Sequence, residues 1–152
     1  MKVVYHCHGG AHSSVVAAHL HLGNIPMAGQ VLPETIMALP EFDQATSADW
    51  GKPKLLGIDG RGNEVYILGL GRETAVCIRA VTSLFLQLGK GKEVVFVETL
   101  PAIGALTRIG GFTSKVLGAK YIGRNLAAKG IVGSLNRLRL LVTATKKIYG
   151  ME

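Results

Sequence analysis

The residues of this chain that are best suited to chemistry lie together near its N-terminus, in the segment YHCHGGAHSS at residues 5–14. Cys7 offers a nucleophilic sulfur, and His12 offers an imidazole that exchanges protons near neutral pH, so both are candidate catalytic residues. Small and polar residues follow Cys7, and such residues let a backbone approach a ligand closely. We predict that ligand is bound by His8, Gly9, Gly10, Ala11, Ser13 and Ser14.

The elements around this segment determine what it can bind. Residues 3–5 are β-formers, and Gly9-Gly10 can break the strand they begin, because glycine tolerates positive φ. Ser13 or Ser14 is predicted to cap a helix of about nine residues that Gly23 ends. A strand, turn and helix in this order direct backbone N–H groups and the positive end of the helix dipole at one point. The sequence therefore predicts a site for phosphate or another oxyanion.

One interpretation of this segment is a nucleotide P-loop. His12 then occupies the place of the phosphate-binding lysine, and Ser13 that of the hydroxyl that binds Mg²⁺. Glu98, after a run of apolar residues, imitates the acid at the end of a Walker B strand. His6 and Ala11 replace the two glycines of that motif, and a neutral imidazole lacks the permanent charge of an ammonium.

The segment also resembles the loop of cysteine-dependent phosphatases, in which His-Cys is followed by glycine and then by Arg-Ser. His6-Cys7, Gly10 and Ser14 match that pattern, while Ser13 stands in the arginine position. The resemblance implies a Cys7 thiolate at a helix N-terminus, without the bidentate clamp that arginine gives the transition state. Phosphocysteine loops of some sugar-transport phosphocarrier subunits are similar and use hydroxyl residues there. The alternative is that Cys7 is a small buried strand residue.

All five histidines fall between residues 6 and 21, which raises the alternative of a metal-binding protein. His12 and His19 share a helix face but stand two turns apart, about 10 Å, too far to bind one ion. His6 and His8 share a strand face and could converge with His12, yet the spacing matches no standard zinc pattern. We assign no metal ligands, since ordinary polar packing explains such histidines equally well.

The rest of the chain alternates strand and helix patterns. Pro33-Glu34 opens a short helix that Pro40 ends, and residues 41–53 form a loop or lid. Two β-rich runs flank the glycine-rich turn at residues 59–63, so residues 54–71 are predicted to form a hairpin whose second arm lies inside the sheet.

A second strand, glycine turn and helix occurs at Gly69–Thr74, although Thr74 breaks the dinucleotide fingerprint. The helix it opens, about residues 73–88, carries an apolar stripe at helical spacing that we assign to the core, consisting of Cys77, Val81, Leu84 and Leu88. Residues 93–100, EVVFVETL, are predicted to form a central strand. Strands alternating with helices predict an α/β fold, a single three-layer domain over residues 1–152 with a mostly parallel sheet, one β-hairpin and an amphipathic C-terminal helix.

The last third of the chain is strongly basic. Residues 102–152 carry nine Lys and Arg against one acid, whereas residues 1–101 carry eight against nine. A helix is expected over residues 105–117, residues 120–133 receive no assignment, and Ser134 is predicted to cap the last helix. Its cations Arg137, Arg139, Lys146 and Lys147 offer an alternative function, a non-catalytic module that docks on nucleic acid or an anionic membrane surface.

The bulk composition limits the class of protein. A chain of 152 residues that is 48% hydrophobic can bury a single core, yet it contains no run of about 20 apolar residues that would span a bilayer. Its N-terminus lacks the apolar region of a signal peptide, and two cysteines make no disulfide framework, so we expect a cytoplasmic protein.

Taken whole, the chain resembles an uncharacterised bacterial family, the domain of unknown function 3189 family. The block from Tyr5-His6-Cys7 to Ser13-Ser14 carries most of the resemblance, and residues 108–112, RIGGF, support it. The resemblance implies a cytoplasmic bacterial protein and implies no activity or cofactor. From the residues themselves, we expect a phosphorylated small molecule or a nucleotide as the ligand.

Overall fold

In the part of the chain that the structure describes, a mixed sheet of four strands organises the fold. The computed structural model describes residues 1–103 and 120–152, with the side chains of the last helix described from Gly123 onward. The strands are β1 (Lys2–Cys7), β2 (Lys54–Ile58), β3 (Glu64–Gly69) and β4 (Val94–Glu98), in the order β2-β3-β1-β4. Strand β1 pairs in parallel with both β3 and β4, so its C-terminal end points the same way as theirs.

The predicted hairpin is confirmed. Strands β2 and β3 are antiparallel, with an irregularity in register between Leu55 and Gly57, and β3 lies inside the sheet as expected. The prediction that residues 93–100 form a central strand was wrong, because among the described strands β4 lies at the end of the order. Its apolar composition reflects packing on both faces, since Val95 and Val97 are buried on one face and Val94 and Phe96 are partly buried on the other.

One face of the sheet carries the main core. Helix α1 (Ser13–His21) packs there, and all nine of its residues are buried. The helix has the predicted length and is followed by Gly23 at φ +78°, as expected of a glycine beyond a helix C-terminus. Val3 and Tyr5 point into this core from β1, at 0% exposure. Alternation along the strand therefore also points Cys7 toward this face.

The opposite face is covered by helix α3 (Thr74–Gln87), which has no buried residue. The small hydrophobic cluster on this face consists of Val4, Leu68 and Leu70, with Cys77 partly buried beside it. A mostly apolar cavity of about 500 Å³ lies between α3 and the sheet. The assignment of the α3 stripe to the core was therefore wrong for most of it, since three of its four members are exposed, namely Val81 at 38%, Leu84 at 55% and Leu88 at 62%.

The C-terminal helix is longer than predicted. Helix α4 runs from Lys120 to Ile148, so it includes residues 120–133, and Ser134 lies inside it rather than at its cap. Glycines at 123, 130 and 133 interrupt the local pattern, but tertiary packing of α4 against α1 and α2 (Pro33–Met37) outweighs their low helix propensity. The predicted helix over residues 105–117 lies outside the described residues.

Short elements complete the described chain. Helix α2 begins at Pro33 as predicted, and single 3₁₀ turns cover Ser47–Asp49 and Leu100–Ala102. Across the described ranges, no helix has the length and apolar character needed to cross a membrane. The sheet with α3 on one face and α1 with α4 on the other makes three layers, which confirms the predicted α/β fold.

Candidate functional site

Cys7 ends β1, and its sulfur is the centre of a compact contact set. Its Sγ accepts a hydrogen bond from the Gly10 backbone N–H at 3.1 Å and lies 3.2 Å from the Ser14 hydroxyl oxygen. The side chain is 5% exposed, consistent with a small buried strand residue as well as with a reactive one. Either the thiol or the hydroxyl can donate in the second contact, and a thiolate would accept both bonds. We call residues 7–14 the Cys7 loop.

The backbone of the Cys7 loop has unused hydrogen-bond donors. The first helical bond of α1 runs from Val16 N–H to the His12 carbonyl at 3.0 Å, and His12, not a serine, occupies the N-cap without a side-chain bond. Within the described residues, the N–H groups of Ala11, His12, Ser13 and Ser14 have no acceptor. Residues 11, 13 and 14 are at most 1% exposed. Buried N–H groups are seldom left unpaired, so this run is unusual.

The predicted serine caps were wrong because both hydroxyls are engaged elsewhere. Thr99 Oγ1 donates to the His6 carbonyl at 3.0 Å, so its only proton is used. Ser13 Oγ, 2.8 Å from Thr99 Oγ1, must then be the donor in that contact. The hydroxyl of Ser13 therefore joins α1 to the end of β4, and the backbone N–H remains as its unpaired donor among the described residues.

Two glycines allow the Cys7 loop to lie directly against the end of β3. Gly10 adopts φ +66°, and a Cβ there would meet the Gly69 nitrogen at 2.7 Å. A Cβ on Gly69 would in turn meet the Gly9 carbonyl carbon at 2.7 Å. The two backbones are thus in contact, which requires glycine on both sides.

His12 is held by a carboxylate that the sequence did not indicate. Its Nε2 lies 2.9 Å from Asp43 Oδ1, and the Asp43 N–H donates to the Ala11 carbonyl, also at 2.9 Å. A carboxylate only accepts, so Nε2 carries the imidazole proton. Asp43 is the only described residue other than glycine with positive φ, at 62°, and such strain persists where the surroundings enforce it.

The segment at residues 41–53, which we call the arch, crosses the strand ends as a loop with one 3₁₀ turn, and its role as a lid stays a prediction. It is fixed to the Cys7 loop at Asp43 and to β3 by a bond from Gly51 N–H to the Gly69 carbonyl at 2.8 Å. The Trp50 ring lies on Gly71 and makes an edge contact with His8, at 5.2 Å between ring centroids. A cleft of about 440 Å³, the side cleft, lies between the arch and the loop, and its wall includes Gly9 and Gly10.

The remaining histidines do not converge. His19 pairs with Glu41, and the ring of His21 lies between the Tyr5 hydroxyl and the Asp59 carboxylate, at 2.9 and 3.0 Å. His6 is buried on the α3 face, and its Nδ1 has no hydrogen-bond partner in the described parts of the chain. Among the described residues, no three His, Cys, Asp or Glu side chains are grouped to hold a metal ion.

Burial governs the titration of these groups. Burial lowers the pKa of His6, while the charge of Glu98 opposes that shift. Burial also lowers the pKa of His21, against its hydrogen bond to Asp59. Burial raises the pKa of Asp59, but hydrogen bonds from Asn63 and His21 outweigh it and hold that pKa well below its usual range.

Several cations of α4 bind backbone carbonyls of the same chain. Lys146 donates to the His21 carbonyl at the C-terminus of α1, and Arg124 donates to that of Met37 at the end of α2, at 2.7 and 2.6 Å. Arg139 binds the carbonyls of Pro26 and Gly29. Cations are favourable at helix C-termini, so part of the basic character serves the fold. Docking on nucleic acid or an anionic membrane stays a prediction that none of these contacts favours.

Sequence reasoning missed three residues of this site: Asp43, Thr99 and Gly69. The first two lie 31 and 86 residues from the loop residues they bind, so local patterns could not indicate them. Gly69 was noted as part of a glycine turn, but its contact with the Cys7 loop depends on the parallel pairing of β1 with β3.

A comparison with models of protein families shows which family the chain belongs to. Residues 2–147 match the family model described as "Protein of unknown function (DUF3189)", a range that contains the Cys7 loop, the arch and all four strands. Neither the curated proteins nor the solved structures contain a match to the chain. Since the family model covers nearly the whole sequence, the chain belongs to the DUF3189 family.

Proposed function

We propose that the Cys7 loop binds the phosphoryl group of a phosphorylated small molecule or nucleotide, and that Cys7 accepts this group covalently. The observation that carries the proposal is the run of N–H groups at residues 11–14, beside the Cys7 sulfur, for which the described residues offer no acceptor. An oxyanion with several acceptor oxygens would satisfy these donors together. The N-terminus of α1 adds the favourable end of a helix dipole.

The proposed reaction follows from the position of the sulfur. The Cys7 thiolate attacks phosphorus, so an S–P bond forms while the bond from phosphorus to the leaving oxygen breaks. His12 in its imidazolium form gives the proton on Nδ1 to the leaving oxygen, while its Nε2–H stays bonded to Asp43. Water then attacks the phosphocysteine, His12 takes a proton from that water at Nδ1, and the S–P bond breaks to release orthophosphate and restore the thiolate. Backbone N–H groups stabilise the charge on the phosphoryl oxygens in place of an arginine.

Binding can be tested directly at the backbone. Orthophosphate, orthovanadate and ATP are titrated into ¹⁵N-labelled protein while amide chemical shifts are recorded. We expect the amides of residues 11–14 to move together with one saturation curve, while those of the distant Gly62 and Gly89 stay in place. Saturating ligand should also stabilise the fold, by about 2.7 kcal/mol at a concentration of 100 times Kd. If these amides do not respond to any of the three probes, the binding proposal fails.

Covalent transfer needs a separate test. Wild type is mixed with p-nitrophenyl phosphate, quenched, and analysed by mass spectrometry for a phosphoryl adduct on a peptide that contains Cys7. The matched variants are Cys7→Ser and Cys77→Ser, and only the first should lose the adduct. Binding of orthophosphate without any adduct would leave a binding loop and reject the phosphoryl-transfer step.

A further inference from the structure

We infer that the side cleft holds the organic part of the ligand, and that this part is a hydroxyl-rich group such as the sugar of a sugar phosphate. The inference rests on the proposed function, because it takes the phosphoryl group to lie on the Cys7 loop. The side cleft and the Cys7 loop share two residues. The wall of the side cleft includes Gly9 and Gly10, and the N–H of Gly10 donates to the Cys7 sulfur.

The size and floor of the side cleft suit a small molecule. Its volume of about 440 Å³ lies in the lower part of the range usual for ligand pockets. The end of β3 lines it with Ile67, Leu68 and Gly69, and the arch forms the other wall. Because the arch is fixed at Asp43 and at Gly51, its two ends limit how far the cleft can widen.

The polar lining favours hydroxyl groups over a charged or aromatic partner. Two carboxylates and two ammonium groups line the cleft together with one amide, namely Glu41, Asp49, Lys52, Lys54 and Gln44. The formal charges cancel, so a ligand group with a net charge gains little there. Donors and acceptors stand side by side, and a hydroxyl is the common ligand group that both donates and accepts.

The absence of rings in the lining argues against a nucleobase. No aromatic residue lines the side cleft among the described residues, and bases are commonly held by stacking on such rings. Sugar phosphates are therefore favoured over nucleotides within the broader ligand class proposed above.

Two of the lining groups are available to a ligand. Lys54 is paired with Glu41 at 3.3 Å, which also bonds His19, and the pKa of Glu41 is lowered because these bonds outweigh the opposing effect of burial. The side chains of Lys52 and Gln44 make no hydrogen bond or ion pair within the part of the chain that is described. They are the natural partners for hydroxyl oxygens.

The test compares four phosphates by isothermal titration calorimetry on the full chain. Glucose 6-phosphate and ribose 5-phosphate carry hydroxyls, hexyl phosphate carries an apolar group of similar length, and orthophosphate carries none. We expect at least one sugar phosphate to bind tenfold or more tightly than both hexyl phosphate and orthophosphate. Lys52→Met and Gln44→Leu should remove that advantage while leaving the Kd of orthophosphate unchanged.

A matched control is Lys92→Met, an exposed lysine in the turn before β4, which should change none of the four affinities. If hexyl phosphate binds as tightly as the sugar phosphates, or if the Lys52 and Gln44 variants keep the advantage, the inference is overturned. Tight orthophosphate binding without tighter sugar phosphate binding rejects the inference and leaves the proposed function standing. Failure of all four ligands rejects both.

Discussion

The chain contains two units of strand, glycine turn and helix, and they behave in opposite ways. In the first, β1 leads through Gly9-Gly10 into α1, a helix with every residue buried. In the second, β3 leads through Gly69 and Gly71 into α3, a helix with none. The local patterns are alike, and both helices begin at the same edge of the sheet.

The two turns also differ in what their backbone groups do. In the second turn, Gly71 N–H donates to the His8 carbonyl at 2.9 Å and Glu73 N–H to that of Leu70 at 3.2 Å. In the first, the N–H groups of residues 11–14 have no acceptor among the described residues. The N–H groups of residues 74–76 also have no acceptor among the described residues, but those residues are half-buried or exposed, whereas residues 11, 13 and 14 are buried. A glycine turn before a helix is a stronger indication of an anion site when its unpaired donors are buried, because water satisfies exposed ones.

The largest expected effect comes from separating the two turns. Gly69→Ala places a Cβ 2.7 Å from the Gly9 backbone, so we expect a loss of about 3 kcal/mol or more in the free energy of unfolding. Gly89→Ala is the control, because its φ of +72° is strained but no atom lies within 4 Å, and it should cost about 1 kcal/mol. Urea denaturation measures both. Equal losses would mean that the turns are not in firm contact.

The contrast in burial predicts a second difference. Leu20→Ala in α1 empties a site that is 1% exposed and should cost about 2–5 kcal/mol. Leu84→Ala in α3 removes a side chain that is 55% exposed and should cost less than about 1 kcal/mol. The same denaturation experiment applies. A large loss for Leu84→Ala would show that α3 packs against something in solution.

The two cysteines, one in each unit, allow a chemical comparison. Below pH 7 we expect iodoacetamide to alkylate Cys7 faster than Cys77, by roughly tenfold, because the Gly10 N–H and Ser14 hydroxyl can both donate to a Cys7 thiolate. This order opposes their exposure, since Cys7 is the more buried. Peptide mass spectrometry measures both rates, and orthovanadate should slow Cys7 alone. Slower labelling of Cys7, unaffected by vanadate, would mark it as an ordinary core residue.

The smallest effect concerns His6, the residue of the first unit that faces the second. Burial holds the pKa of His6 below its usual value, so the unfolded chain takes up a proton first as pH falls. Titration of His6 therefore lowers the free energy of unfolding as the pH falls below about 6.5, and has little effect at higher pH. Denaturation midpoints at pH 7 and pH 5.5 should differ less in His6→Leu than in wild type. His8→Gln, at an exposed position, should keep the wild-type difference.

Periodicity and turn residues predicted most of the elements. Strand β1, the nine residues of α1, the start of α2 at Pro33 and the hairpin were all expected, because each depends on residues close together in sequence. The errors concern properties that depend on distant contacts. Examples are the position of β4 in the sheet, the exposure of the α3 stripe and the continuation of α4 past three glycines.

By itself, the sequence determined that Cys7 stands at the end of a strand, before a glycine turn and a helix. Only the tertiary structure decided which donors of that turn are left without an acceptor among the described residues. The Ser13 hydroxyl is hydrogen-bonded to Thr99, and the His12 ring to Asp43. The backbone of Gly69 at the end of β3 packs against Gly10. The physical reason is that a hydrogen-bond donor is available only when no acceptor of the folded chain reaches it, and those acceptors come from other parts of the sequence.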